Sequence, residues 1–220
     1  MKINRNKIAK ETARMLFSIK AITLSPQKPY RYTSGILSPI YTDNRMIISY
    51  PNIRNKIIDF YLKIIRAEIG LRNIDIISGT ATAAITQAMI IADRLKRPMV
   101  YVEVPKKEDT PAKIRGIINK GDNAIVIEDL ISTGGSAVGN TLALRKAGGK
   151  VKYCIATTTY KMQKAHLLFT KNKVKLITLT NINSVLDTAV EDGLLKKEER
   201  KIVEEWLIDP PSWGKKMGFE

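Results

Sequence analysis

Two carboxylates stand side by side in the run Ile125-Val126-Ile127-Glu128-Asp129-Leu130-Ile131-Ser132-Thr133-Gly134-Gly135-Ser136. An apolar strand ends at an acidic pair, a short polar loop follows, and a helix begins. Backbone N–H groups from Ser132 to Ser136 can converge on an anion at the helix N-terminus, where the helix dipole adds to them. Gly134 and Gly135 permit positive φ and close approach of a phosphate. The hydroxyls of Ser132, Thr133 and Ser136 supply further donors. Glu128 and Asp129 would repel that phosphate, so they need a different partner. Ribose hydroxyls, or a cationic transition state, provide one. A plain helix N-cap can carry acidic residues too, but the full order of strand, acidic pair, loop and helix favours phosphate binding. No Gly-Lys-Ser/Thr follows the glycines, so the loop is not of the Walker type.

A second loop of small residues, Ser78-Gly79-Thr80-Ala81-Thr82-Ala83, also follows a strand and opens a helix. Its amides can approach an anion, although a tight strand-to-helix turn reads the same way. Arg45 can fork onto a carboxylate, or serve as a surface or interface arginine. The stretch from Pro105 to Lys113 is charged, contains Pro105 and Pro111, and has no apolar periodicity, which predicts a mobile loop. Lys106, Lys107 and Lys113 are its cations. His166, the one histidine, falls on a helix far downstream and reads as non-catalytic. Cys154 sits in an apolar strand and reads as core.

These residues need a frame to hold them. Strand patterns cover Ile74 to Ile77, Met99 to Val102, Ala124 to Ile127, Val151 to Thr158 and Val174 to Thr178. Helical patterns fall between them, at Ala83 to Leu95 and Ser136 to Ala147, the latter closed by Gly148-Gly149 as left-handed caps favour. Lys120 to Asn123 is a turn. Near-continuous apolar strands alternating with helices predict a parallel sheet covered on both faces, an α/β fold. Such sheets gather ligands at the carboxyl ends of their strands. Upstream, Asn4 to Lys20 and Pro51 to Ile69 read as helices, with Pro51 allowed in a first turn. Pro29 to Ser49, rich in Tyr, Ser and Thr, reads as an irregular cover. A helix at Lys196 to Leu207 packs on the core, and Pro210-Pro211 stops it. No linker or repeat divides the chain, so residues 1–220 form one domain with a small N-terminal hood at about 1–50.

With 220 residues, 44% hydrophobic and 26% charged, the chain has an ordinary globular composition. No apolar run is long enough to span a bilayer, and Met1 to Asn6 does not lead into a signal peptide. A single cysteine excludes an internal disulfide, and the cytoplasm is the expected compartment. The formal charge of +16 suits either nucleic acid or a polyanionic small molecule. The lysines are spread along the chain, apart from a small cluster at Lys171, Lys173 and Lys175. Without an arginine-rich arm or a basic stripe interleaved with aromatics, nucleic acid is not the expected partner.

The run from Ile125 to Ser136 closely resembles the ribose-phosphate signature of the type I phosphoribosyltransferases. The hood segment Ser34-Gly35-Ile36-Leu37-Ser38-Pro39-Ile40-Tyr41-Thr42-Asp43-Asn44-Arg45 and the segment from Ala92 to Val102 narrow this to the orotate phosphoribosyltransferases. The resemblance extends from about Ile22 to Trp206. It implies a Rossmann-like type I phosphoribosyltransferase core. It also implies transfer of the phosphoribosyl group of 5-phosphoribosyl 1-pyrophosphate to orotate, within pyrimidine biosynthesis. It places Glu128 and Asp129 on the ribose as catalytic groups, and Ile131 to Ser136 on the 5′-phosphate. Ser78 to Thr82, with Lys106, Lys107 and Lys113, fall on the pyrophosphate, with Lys107 the best-aligned catalytic cation. The base falls to Ser34, Gly35, Arg45 and Thr133. Magnesium would ride on the substrate, with no direct protein ligand, and a homodimer would let each loop serve its neighbour's site. Four positions depart from the family pattern: Leu37 and Glu103 replace Lys and Arg, Asp109 replaces His, and Arg115 replaces Glu. A regulator that binds phosphoribosyl pyrophosphate, or a transferase for another base, is the alternative these departures leave.

Overall fold

The computed structural model describes residues 3–105 and 110–219. Six strands form its main sheet: β5 (Ile76–Thr80), β6 (Met99–Glu103), β7 (Lys113–Arg115), β8 (Asn123–Ile131), β9 (Lys150–Thr159) and β10 (Lys175–Thr178). Their spatial order is β10-β9-β8-β5-β6-β7. Five strands run parallel, as the sequence predicts, and β7 joins β6 antiparallel at the edge. Lys113 therefore belongs to an edge strand rather than to the end of a loop.

The two faces of the sheet explain the apolar runs. Alternate residues of a strand point to opposite faces. Ile77, Ile125, Ile127 and Ile155 enter one buried cluster, while Ile76, Val102, Val126 and Cys154 enter another. Helices α2 (Pro51–Ile64) and α3 (Ile85–Leu95) contribute to the first cluster, and α4 (Gly135–Lys146) and α5 (Gln163–Lys171) to the second. Both faces are thus apolar, so each strand reads as nearly continuous hydrophobic sequence.

The hood is built from α1 (Arg5–Ser18), the antiparallel pair β1 (Ile22–Leu24) and β4 (Ile40–Thr42), and the hairpin of β2 (Tyr30–Arg31) and β3 (Leu37–Ser38). The expected helix from Pro51 to Ile69 is α2 followed by a π-helical turn over Ile65–Ile69, ended at Gly70 with φ 83°. Helix α6 (Ile182–Glu191) was not anticipated from the sequence pattern. The tail carries two helices, α7 (Lys197–Ile208) and α8 (Pro210–Lys216). Pro210 and Pro211 were expected only to stop a helix. They also start one, because a first-turn residue needs no N–H and proline's φ already suits it.

The tail holds the hood. Trp206 is buried, and its indole N–H donates to the Leu37 carbonyl at 2.8 Å. A Cβ on Gly214 would lie 3.0 Å from Leu37 Cδ1, so α8 packs tightly against β3.

Candidate active site

Strand β8 delivers Glu128 and Asp129 to its carboxyl end, where parallel sheets bind ligands. Glu128 is 5% exposed. Its Oε1 accepts the Asp129 N–H at 3.1 Å, and its carbonyl accepts the Tyr61 hydroxyl at 3.1 Å. Tyr61 shares a second hydrogen bond with Thr157 Oγ1 at 2.8 Å, which fixes the strand end from α2. Asn44 Nδ2 donates to the Asp129 carbonyl at 2.8 Å and so ties the hood to the acidic pair. Neither carboxylate forms an ion pair with a described residue. Burial, and then the neighbouring Asp129 charge, push the Glu128 carboxyl well above its usual range. Burial also raises Asp129.

Beyond the pair lies the loop of Ser132 and Thr133. Gly134 caps α4 with φ 84°, and no side chain caps the helix, so its first N–H groups stay available. A Cβ on Gly134 would meet Phe169 at 3.0 Å. Gly134 therefore has both reasons to be glycine. Gly135 has neither: it is the first residue of α4, lacks positive φ, and a Cβ there would enter open space. The helix begins there, one residue before the expected Ser136.

The loop separates two clefts. The smaller, about 270 Å³, is lined by Glu128, Asp129, Ser136, Arg45 and the turn from Thr80 to Ala83. The larger, about 840 Å³, is lined by Ser132, Thr133, Tyr32, Tyr160, Lys161 and Trp206 among others. Trp206 meets Tyr32 and Tyr160 edge-on, at 6.3 and 5.7 Å between ring centroids. Such geometry is favourable for aromatic pairs, and it joins tail, hood and core around one wall of the cleft.

The small-residue segment 78–83 divides in the same way. Ser78, Gly79 and Thr80 belong to β5 and are not a loop. The Ser78 hydroxyl donates to Asn140 Oδ1 at 2.9 Å, and Asn140 Nδ2 donates to Thr80 Oγ1 at 3.1 Å. Ser78 is fully buried, and a Cβ on Gly79 would strike Ala88 Cβ at 2.9 Å. These two residues seat α3 and α4 on the sheet. Thr80, Ala81, Thr82 and Ala83 are the part that reaches the cleft.

Arg45 lines the smaller cleft, away from Thr133. Asp43 holds its guanidinium at 2.6 and 2.7 Å and raises its pKa. Ser34 and Gly35 form the tip of the β2–β3 hairpin, Gly35 with φ 87°, and line neither cleft. Lys106 and Lys107 lie outside the described residues. Lys113 stands on β7 opposite Glu103. His166 lines a separate cavity against α5, and Cys154 is buried core. Asn44, Tyr61, Tyr160 and Trp206 were missed in the sequence because each acts through a partner tens of residues away.

No protein-family model matches the chain. Curated relatives match it almost end to end. An orotate phosphoribosyltransferase of Coxiella burnetii is 44% identical over 206 residues, covering 93% of this chain and 98% of its own. One from Lactococcus lactis subsp. cremoris is 40% identical over 207 residues, covering 94% and 98%. The chain belongs to the orotate phosphoribosyltransferase family. Solved structures agree on the fold. The orotate phosphoribosyltransferase of Aeropyrum pernix superposes with a TM-score of 0.71 at 23% identity, covering 83% of this chain and 98% of its own. The UMP synthase of Leishmania donovani gives 0.73 at 25% identity, covering 90% of this chain and 42% of its own. An adenine phosphoribosyltransferase gives 0.60 at 20% identity, covering 76% and 99%. Membership in this family accounts for the mostly parallel sheet.

Proposed function

We propose that the chain is an enzyme that transfers the phosphoribosyl group of 5-phosphoribosyl 1-pyrophosphate to orotate, giving orotidine 5′-phosphate and pyrophosphate. The observation that carries this reading is the phosphate loop standing between two clefts, with the acidic pair at its base. The 5′-phosphate sits on the α4 N-terminus, held by Ser132 to Ser136. Glu128 and Asp129 accept from the ribose hydroxyls, partners that carry no charge and suit carboxyls with raised pKa. As the C1–oxygen bond to pyrophosphate breaks, positive charge grows on the ribose, and the two carboxylates stabilise it. Pyrophosphate departs through the smaller cleft, past Thr80 to Ala83. The base nitrogen adds at C1 from the larger cleft. Magnesium carried by the substrate would neutralise the pyrophosphate charge.

Orotate carries a carboxylate, which needs a cation. Arg45 is held by Asp43 and faces the smaller cleft. Lys161 lines the larger one, at the carboxyl end of β9, with its N–H fixed to Thr159 Oγ1 at 3.0 Å. Lys161 is the residue we assign to the carboxylate. Lys106 and Lys107 are assigned to the pyrophosphate from the sequence, in a cytoplasmic homodimer that shares its loops. The test is pyrophosphate release from phosphoribosyl pyrophosphate, magnesium and a panel of bases. Orotate alone should support turnover, and Lys161→Ala should raise the KM for orotate about tenfold, as loss of a charged hydrogen bond does. Release with an uncharged base and none with orotate would overturn the assignment.

A further inference from the structure

The two strands that flank residues 106–109 meet at an ion pair. Glu103 is the last residue of β6 and Arg115 the last of β7. Two parallel hydrogen bonds join them, 3.1 Å from Nε to Oε1 and 3.2 Å from Nη2 to Oε2. The register sets Tyr101 opposite Arg115 and Glu103 opposite Lys113, so the pair crosses the ribbon diagonally. Val100 and Val102 point into the apolar layer under α4, which turns Tyr101 and Glu103 to the other face. The Val102 carbonyl accepts the Ala81 N–H at 2.9 Å. Ala81 belongs to the turn that lines the smaller cleft. Glu103 thus follows directly on the residue that holds a turn read here as lining the exit for pyrophosphate.

An unpaired carboxylate there would oppose a polyanion. Arg115 keeps the Glu103 carboxylate paired. Both side chains are about half exposed, 50% for Arg115 and 42% for Glu103, so the pair's contribution to stability is small.

We propose that Arg115 is a positioning residue for the reaction: it ties Glu103 to β7 and cancels its charge, keeping a free carboxylate away from the pyrophosphate turn. The proposal rests on reading Thr80 to Ala83 as the pyrophosphate side of the site. Arg115→Gln should raise the KM for phosphoribosyl pyrophosphate about fivefold, the scale of one screened charge near the site. The KM for orotate and kcat should stay within about twofold. Glu103→Gln with Arg115→Gln should return the KM to the parent value, and Glu103→Arg with Arg115→Glu should match the parent. Raising the ionic strength should close the gap between Arg115→Gln and the parent, a response that a purely structural defect would not give. An unchanged KM in Arg115→Gln overturns the proposal, and so does a double Gln variant as impaired as the single. Calorimetry of pyrophosphate binding to the same proteins needs no turnover and no base. Weaker binding by Arg115→Gln alone supports the proposal and equal binding overturns it, whichever base the parent accepts.

Discussion

Replacing Glu128 with Gln should make the protein more stable and disable it. Glu128 is buried, lacks an ion pair among the described residues and lies against Asp129. Its carboxyl is pushed up in the folded protein, first by burial and then by the Asp129 charge. The native state therefore holds this proton more tightly than the unfolded chain does. Stability is greatest below the ordinary carboxylate range. It declines as pH rises from that range through the raised folded value, and the deficit is complete above it. Gln keeps the shape and an acceptor for the Asp129 N–H but has no proton to lose. Relief of a buried, poorly compensated charge is worth about 1–3 kcal/mol. At about 2–4 °C per kcal/mol for a chain of this size, the melting midpoint should rise by roughly 2–12 °C at pH 8. The advantage should shrink towards pH 5. Turnover should fall by about two orders of magnitude, the scale of a lost transition-state charge contact. Thermal unfolding followed by circular dichroism at the two pH values, with pyrophosphate release measured in parallel, is the assay. A variant that melts at or below the parent at pH 8, or gains equally at both pH values, would refute the argument that burial of this charge strains the fold.

Gly134→Ala should destabilise the protein by about 1–2 kcal/mol through its positive φ and its approach to Phe169, and weaken ribose 5-phosphate binding about tenfold. Gly135→Ala should leave the melting midpoint unchanged, because a Cβ there meets no protein atom. A calorimetric titration that finds equal affinity in both variants and the parent would place the phosphate elsewhere. Trp206→Phe removes the hydrogen bond to the Leu37 carbonyl and should cost about 1 kcal/mol. It should raise the KM for orotate while leaving that for phosphoribosyl pyrophosphate alone. Equal rises in both constants would count against a role confined to the larger cleft.

The strand, loop and helix from Glu128 to Ser136 were legible because their residues are contiguous. Glu128 to Ser136 form one strand end, one loop and one helix start, so local order fixes their geometry. The larger cleft was not, since its walls come from Tyr32, Thr133, Lys161 and Trp206, which only tertiary packing brings together. Arg45 was given to the base from its chemistry and the hood resemblance; its pairing with Asp43, two residues earlier, was not foreseen. Ser78 and Gly79 looked like part of an anion loop because small residues serve a tight turn and a close helix–strand contact equally well. The same ambiguity hid α8, where prolines mark either an end or a beginning. Glu103 and Arg115, each a misfit when read singly, make sense as a pair only once β7 is seen to fold back on β6.

The clasp between Trp206 and Leu37 has a consequence for how the chain is born. Strands β5 to β10 occupy one uninterrupted stretch, so the sheet and phosphate loop can assemble as that stretch leaves the ribosome. Leu37 must wait for a partner 169 residues later, roughly 10–30 s at ordinary rates of synthesis. Late in that interval the nascent protein has its acidic pair and the following loop in hand, while one wall of the larger cleft is missing. Closing so long a loop adds little free-energy cost over a shorter one, because the cost grows only with the logarithm of length. The delay is set by translation. The wall of the larger cleft that Trp206 supplies therefore forms after the sheet.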